Sequence, residues 1–191
     1  LRNPLNVVSG SLEVAETTDE SEHIDRAARA AARMEDLIDQ VLTLAQQGRD
    51  ISETRRLQLD SIVESAWETV AASEAGLRLE ADTGSVKADP DRLREAFENL
   101  FRNAIEHGGD DVTVRVGGLE NGFFVEDDGR GIPDAQRESV FDRGYTTDNG
   151  TGLGLAIVQG IVDGHGWSIG IRDGATGGAR FEITDVESVQ R

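Results

Sequence analysis

Glu95, Asn99, Asn103 and His107 fall at steps of four along one stretch of the chain, a spacing that lines them up on one side of a helix. Asparagine is a mediocre helix former because its amide competes for backbone partners, so two of them one turn apart point to a task. Amide oxygens are hard ligands, able to hold Mg2+ while phosphates and waters complete its octahedron. Taken alone, the pair fits a solvated helix face equally well. His107 stands before Gly108 and Gly109, a common way for a helix to end.

A second cluster, Val125-Glu126-Asp127-Asp128-Gly129-Arg130-Gly131-Ile132-Pro133, directly follows an apolar run that reads as a strand. Carboxylates and glycines at a strand end let the backbone approach a flat ligand closely. An Asp in such a pocket could accept the amino hydrogen of adenine. By itself, Asp-Gly-x-Gly is more often a plain turn.

The third cluster, Gly150-Thr151-Gly152-Leu153-Gly154-Leu155, runs into an apolar helix. Glycines before a helix N-terminus bare backbone N–H groups that can cradle phosphate. A dinucleotide-binding turn would need a strand just before the glycines, but Tyr145-Thr146-Thr147-Asp148-Asn149 stands there. A P-loop would need Gly-Lys-Ser/Thr, which is absent. Between the second and third clusters, about 133–150, a polar stretch with Arg137 and Arg143 reads as a lid whose arginines could reach phosphate oxygens. A surface loop is the plainer alternative.

These residues need elements to hold them. Leu93, Ala96, Phe97, Leu100 and Ala104 give the helix its apolar face, and Asp89-Pro90 supplies a cap followed by proline at the first position. The helix should run to about His107. Short strands are expected over 57–59, 77–81, 112–116, 122–126, 167–171 and 179–183, with further helices after a cap at Asp60 and over 153–164. Mixed strands and helices imply an α+β sandwich with helices on one face of a mixed sheet. Upstream, Leu1, Leu5, Val8, Leu12 and Ala15 alternate at steps of four and three, and Ile24, Ala27, Ala31, Met34, Ile38, Val41 and Ala45 do likewise. Two such helices form an antiparallel hairpin over 1–47 that cannot bury both seams alone, so a homodimeric four-helix bundle is expected. Residues 48–58 would be linker and first strand, and 59–191 the second domain.

Composition narrows the classes. Asp plus Glu total 37 against 19 Lys plus Arg, a net charge of -18. That excludes nucleic acid as a general partner, because phosphate contacts need clustered cations. Lys87 is the only lysine. An acidic chain nearly free of lysine suits a cytoplasm kept at molar salt, where screening removes self-repulsion. There is no cysteine, which suits a reducing compartment. No apolar run approaches the roughly 18 residues that cross a bilayer, so any membrane anchor is expected outside this segment, and a cytoplasmic location is expected for the segment itself.

The three clusters, in this order, resemble the ATP-binding domain shared by histidine kinases, gyrase-type topoisomerases, Hsp90 chaperones and mismatch-repair ATPases. Glu98-Asn99-Leu100-Phe101-Arg102-Asn103-Ala104 looks like that family's N box, and Asp127-Asp128-Gly129-Arg130-Gly131 like its first glycine box. Phe141-Asp142-Arg143-Gly144-Tyr145 is similar to the F box, and Gly150 to Leu155 to the second glycine box. Each motif is weak singly; their order makes them specific. The resemblance implies ATP and Mg2+ as cofactors, with Asn103 as the main metal ligand and Asn99 close by. It implies Asp127 as the adenine-binding carboxylate, with Gly129 and Gly131 lining the base pocket. Gly150, Gly152, Leu153 and Gly154 would lie under the phosphates, and His107 near them. Arg143 would act from the lid. Hydrolytic members resemble one another in carrying Glu where this chain has Asn99, so the resemblance favours phosphoryl transfer to a side chain.

Leu1-Arg2-Asn3-Pro4-Leu5 resembles the end of the dimerisation-domain H box. On that match the phosphoacceptor histidine falls two positions before Leu1, so the chain as written is expected to bind nucleotide without phosphorylating itself there. Asn3 falls where the family helps a water dephosphorylate the response regulator. The resemblance therefore implies the catalytic portion of a two-component sensor histidine kinase, passing the ATP γ-phosphate to a histidine and then to a receiver-domain aspartate. A hydrolytic ATPase of the same superfamily and a non-catalytic dimerisation and regulator-docking module are the alternatives.

Overall fold

The computed structural model describes residues 51, 53–70, 74–81, 83–109, 111–142, 144, 145 and 152–187. The chain divides into two units, Leu1–Arg49 and Asp50–Arg191, and the described residues all belong to the second. The expected hairpin over 1–47, with Asn3, lies outside them.

Strand β1 (Arg55–Gln58) leads straight into helix α1 (Leu59–Val70), and β2 (Gly76–Leu79) and β3 (Ser85–Ala88) follow. Helix α2 (Pro90–Gly108) precedes a hairpin of β4 (Thr113–Leu119) and β5 (Gly122–Asp127). After two short 3-10 turns come α3 (Gly154–His165), β6 (Ser168–Asp173) and β7 (Ala179–Thr184). Five strands form one mixed sheet in the order β2-β4-β5-β7-β6, with β2 parallel to β4 and the other pairs antiparallel. The expected α+β sandwich is therefore the fold found.

Helix α2 begins as its sequence dictates. Asp89 Oδ1 accepts the N–H groups of Asp91 and Arg92 at 3.1 and 3.3 Å, satisfying two donors that a helix start leaves open. Pro90 takes the first position, where no N–H is needed. Leu93, Phe97, Leu100, Phe101 and Ala104 then face the core. The Phe97 ring lies 5.4 Å from Phe123 on β5 and 5.7 Å from Phe101, which meets Trp67 of α1 edge-on at 5.3 Å. Val114, Val116, Val125, Phe181 and Ile183 complete this layer from the sheet. Removing one such buried ring costs about 3–5 kcal/mol.

The opposite face of the sheet is closed differently. Phe124 is buried there, with the Arg180 guanidinium 3.6 Å and the Arg115 guanidinium 5.5 Å from its ring centre. Arg180 also reaches Glu126 at 3.1 Å and Glu182 at 2.9 Å. Burial pushes the Glu182 carboxyl up, but hydrogen bonds and charge from Arg180 and Arg172 outweigh it and hold it below its ordinary value.

Two expectations need correction, and one strand is additional. The first strand is Arg55–Gln58 rather than 57–59, because Leu59 is already the first residue of α1 and its N–H donates to Gly84 O at 3.1 Å. Asp60 consequently lies inside the first turn and is not the cap. Strand β3 was not anticipated: it pairs antiparallel with β1, setting Leu57 opposite Val86. Four residues between a glycine turn and a helix cap carry too little alternation to announce themselves, and their partner lies across an intervening helix and strand.

Candidate functional site

The last residues in register between β5 and β7 are Glu126 and Arg180. One residue further, the side chain of Asp127 replaces the ladder. Its Oδ1 accepts the N–H of Ala179 at 3.1 Å and the N–H of Gly129 at 2.9 Å. Among the described residues Oδ2 takes no hydrogen bond, although the residue is only 8% exposed. Burial raises the Asp127 pKa; the two backbone donors pull it down, and the neighbouring charges of Asp128 and Glu126 push it up again. The result is a buried carboxylate with one oxygen fixed and one open to an incoming donor.

Glycines press on this carboxylate from several sides. A Cβ on Gly129 would stand 2.6 Å from Gly108 Cα, so only glycine lets the end of β5 touch the end of α2. Gly178 packs directly on the Asp127 carbonyl and carboxylate oxygens. Gly131 has φ +71° and lies under the carbonyl of Gly177, 2.9 Å from where its Cβ would be. Gly129 thus packs on Asp127 Oδ1 and Gly108, and Gly131 on the 177–178 backbone that also borders Asp127. At the end of α2, His107 Nδ1 lies 3.2 Å from an Arg130 nitrogen, which brings His107 to the same rim.

The middle of α2 faces the start of α3. Asn99 is buried, its Nδ2 donates to Glu95 O at 2.8 Å, and a Cβ on Gly154 would lie 3.5 Å from its Oδ1. Asn103 stands one turn further on, half-buried. Helix α3 opens at Gly154 with Leu153 at the capping position, a side chain that cannot cap, and none does. Gly152 has φ +66° and packs against the backbone of Gly144 and Tyr145, whose Gly144 N–H donates to Gly152 O at 3.0 Å. Gly152 therefore ties the backbone at Gly144 and Tyr145, within the expected lid, to the start of α3. Arg143 and Gly150 lie outside the described residues. Arg137, read as a lid arginine free to meet phosphate, is instead spent on the lid stem: it bonds Asp134 at 2.8 Å, Asp173 and Ile132 O.

The sequence reading missed the turn at 174–178, which supplies Ala179 N–H and Gly178 to Asp127. Three glycines crowded between two strands (Gly174, Gly177 and Gly178) were the available signal, since such density in a hairpin turn marks a close backbone approach.

The profile of the family described as histidine kinase-, DNA gyrase B- and HSP90-like ATPase matches residues 88–187. This chain belongs to that ATPase family. Residues 1–50 match the His Kinase A phospho-acceptor domain, so the chain carries the matches of both histidine kinase domains. Sensor histidine kinase ZraS of Salmonella typhimurium strain LT2 is 33% identical over 200 residues, 96% of this chain and 43% of that protein. The chain thus spans less than half the length of that relative. Among solved structures, the mycobacterial sensor histidine kinase MprB superposes with TM-score 0.62 at 26% identity, covering 71% of this chain and 99% of that one. Full-length ShkA in complex with AMPPNP superposes at TM-score 0.70 and 24% identity, covering 100% of this chain and 44% of that chain. In this ATPase family member the matched stretch contains the whole arrangement around Asp127, α2 and α3. No helix among the described residues is long and apolar enough to cross a membrane.

Proposed function

We propose that this chain is the catalytic portion of a sensor histidine kinase that binds ATP with Mg2+, and that the γ-phosphate passes to a histidine and then to a response-regulator aspartate. One observation carries the reading: Asp127 is buried with one oxygen held by two backbone N–H groups and the other open, inside a wall of glycines. Such a carboxylate accepts a hydrogen bond from a flat donor, and the adenine amino group has the right chemistry. The ShkA complex with an ATP analogue and the ZraS likeness agree with it.

The residue roles follow from position. Gly129 and Gly131 let the base approach the backbone, and the backbone N–H groups at the start of α3, around Gly152, Leu153 and Gly154, would serve phosphate, with Gly150 before them. His107 stands at the rim, and Arg143 would close over the phosphates from the lid, about 133–150. Asn103 and Asn99 supply hard amide oxygens for Mg2+. Among the described residues no group of three or more His, Cys, Asp or Glu could hold a metal, so the ion would depend on phosphates and water for most of its octahedron. That donor set fits a metal that arrives with nucleotide. Bound there, Mg2+ would neutralise phosphate charge; the protein's share is positioning.

Residues 1–47 would form the dimerising hairpin, with Asn3 serving regulator dephosphorylation, and the segment would work in the cytoplasm, with any membrane anchor elsewhere. The acidic, lysine-poor composition supports a cell interior at molar salt. The test is calorimetric titration of ATP and Mg2+ into the chain in molar KCl, beside Asp127→Asn. Saturable, Mg2+-dependent binding lost in the variant is expected. A folded sample that binds nothing would remove the kinase reading and leave a docking module.

A further inference from the structure

Glu126 precedes Asp127 on β5 but points to the other face of the sheet, because side chains alternate along a strand. The residue is 3% exposed. Oε1 meets an Arg115 nitrogen at 3.0 Å and accepts the backbone N–H of Ala175 at 3.2 Å, while Oε2 meets Arg180 at 3.1 Å. The arginines account for charge neutralisation. The bond to Ala175 is a different matter, since it reaches into the turn between β6 and β7.

That turn is tight. Gly177 N–H donates to Gly174 O at 3.2 Å, and Gly174 N–H to Gly178 O at 2.7 Å. Ala175 is held by Glu126 on the outer face, and Ala179, just past the turn, donates to Asp127 Oδ1 on the inner face. The turn therefore straddles the end of β5, with one hydrogen bond to each of two consecutive carboxylates. Gly174 packs beside Glu126 Cγ and Gly178 on Asp127, leaving no room for a side chain at either position.

We propose that Glu126 is a positioning residue for base recognition: by holding the 174–178 turn from the far side of the sheet, it fixes the direction in which Asp127 presents Oδ2. This rests on the reading of Asp127 as the acceptor for the base. A Glu126 that only neutralises arginines would affect stability and leave base preference alone.

The experiment compares ATP with inosine triphosphate, whose base carries a 6-oxo group in place of the amino group. Affinities are measured by calorimetry in the 191-residue chain and in Glu126→Ala, Glu126→Gln and Ala175→Pro, with thermal unfolding of each. Ala175 occupies the second position of its turn, where proline is accommodated, so Ala175→Pro deletes the N–H and leaves Glu126 with both arginines. Glu126→Ala and Ala175→Pro are expected to lower ATP affinity about tenfold, the worth of one hydrogen bond to a charged group. Affinity for inosine triphosphate stays as in the parent, so the preference collapses. Glu126→Gln keeps an acceptor for Ala175 and restores most of it. Equal losses for both nucleotides, or an intact preference in folded Ala175→Pro, overturn the proposal. If Glu126→Ala does not fold, Ala175→Pro and Glu126→Gln decide. A parent with no preference for ATP is a separate result, which removes the Asp127 reading itself.

Discussion

The Nε2 atom of His165 accepts the backbone N–H of Asp89 at 3.0 Å, so the last turn of α3 holds the residue that caps α2. The ring's other nitrogen donates to Ile161 O at 2.8 Å, and its face stacks on Trp167 at 4.3 Å. One nitrogen accepts while the other donates, which only the neutral imidazole can do. The two helices that frame the candidate site are thereby tied through one uncharged ring.

Stability should follow from this. Burial lowers the His165 pKa, against the opposing effects of the Ile161 hydrogen bond and the Asp89 charge. A depressed folded-state value means that the unfolded chain takes up the proton first, so stability is full above the ordinary value of about 6.5 and declines as pH falls through the folded-state value. His165→Leu removes the imidazole acceptor of the Asp89 N–H and should cost about 1–3 kcal/mol at pH 8. Urea unfolding at pH 8 and pH 5 checks both points: the difference between parent and variant should shrink at the lower pH. A constant difference would remove the neutral ring from the account.

Nucleotide preference should depend on pH through Asp127. Its pKa is raised by burial, so it takes up a proton at a higher pH than an ordinary aspartate, which titrates at about 3.9. Oδ1 is engaged by two N–H groups, so the proton goes to Oδ2 and stops it accepting. The ratio of ATP to inosine triphosphate affinity, in which phosphate ionisation cancels, should fall on acidification while the pH is still above the ordinary carboxylate range. In Asp127→Asn the ratio should be low and flat. A parent ratio that falls only at or below the ordinary aspartate value would contradict the raised value.

Much of this site could be read from residue order, and what escaped did so for a physical reason. Asp127, Gly129, Gly131 and the polar line on α2 announce themselves because each has a local meaning: a strand end, a left-handed turn, a helical repeat. The Asp89 cap was legible on the same ground. The contribution of 174–178 was not, since Ala179 serves Asp127 through a backbone N–H that any residue but proline could supply. Strand β3 is similarly silent, because its pairing with β1 is non-local. Arg137 was misread for the converse reason: a charge in a loop looks free until its partners Asp134 and Asp173 are known.

The glycine at 129 allows a sharper steric test. The space for its Cβ is already occupied by the Cα of Gly108, which is backbone and cannot swing aside. Gly129→Ala must therefore push the end of β5 from the end of α2, at about 1–3 kcal/mol for an overpacked contact. Asp127 moves with it, so ATP affinity should fall alongside the thermal midpoint. Gly160→Ala, where nothing lies within 4 Å of the added atom, is the matched control and should leave ATP binding unchanged. Parent-like binding in Gly129→Ala would show that the site tolerates the displacement.

Salt sets two electrostatic effects against each other in this chain. A net charge of -18 repels itself, and molar KCl, with a screening length of about 3 Å, removes most of that repulsion. The same salt weakens surface ion pairs such as Lys87 with Glu187 and Arg94 with Asp91, but exposed pairs contribute only about 0–1 kcal/mol each. The pairs of Glu126, whose side chain is 4% exposed, are sheltered from bulk ions. Repulsion should therefore dominate, and the thermal midpoint should climb steadily from dilute buffer to molar KCl. Scanning calorimetry across that range reads it directly. A midpoint that falls with KCl would mean that the ion pairs outweigh the net charge and that the composition is not an adaptation to salt.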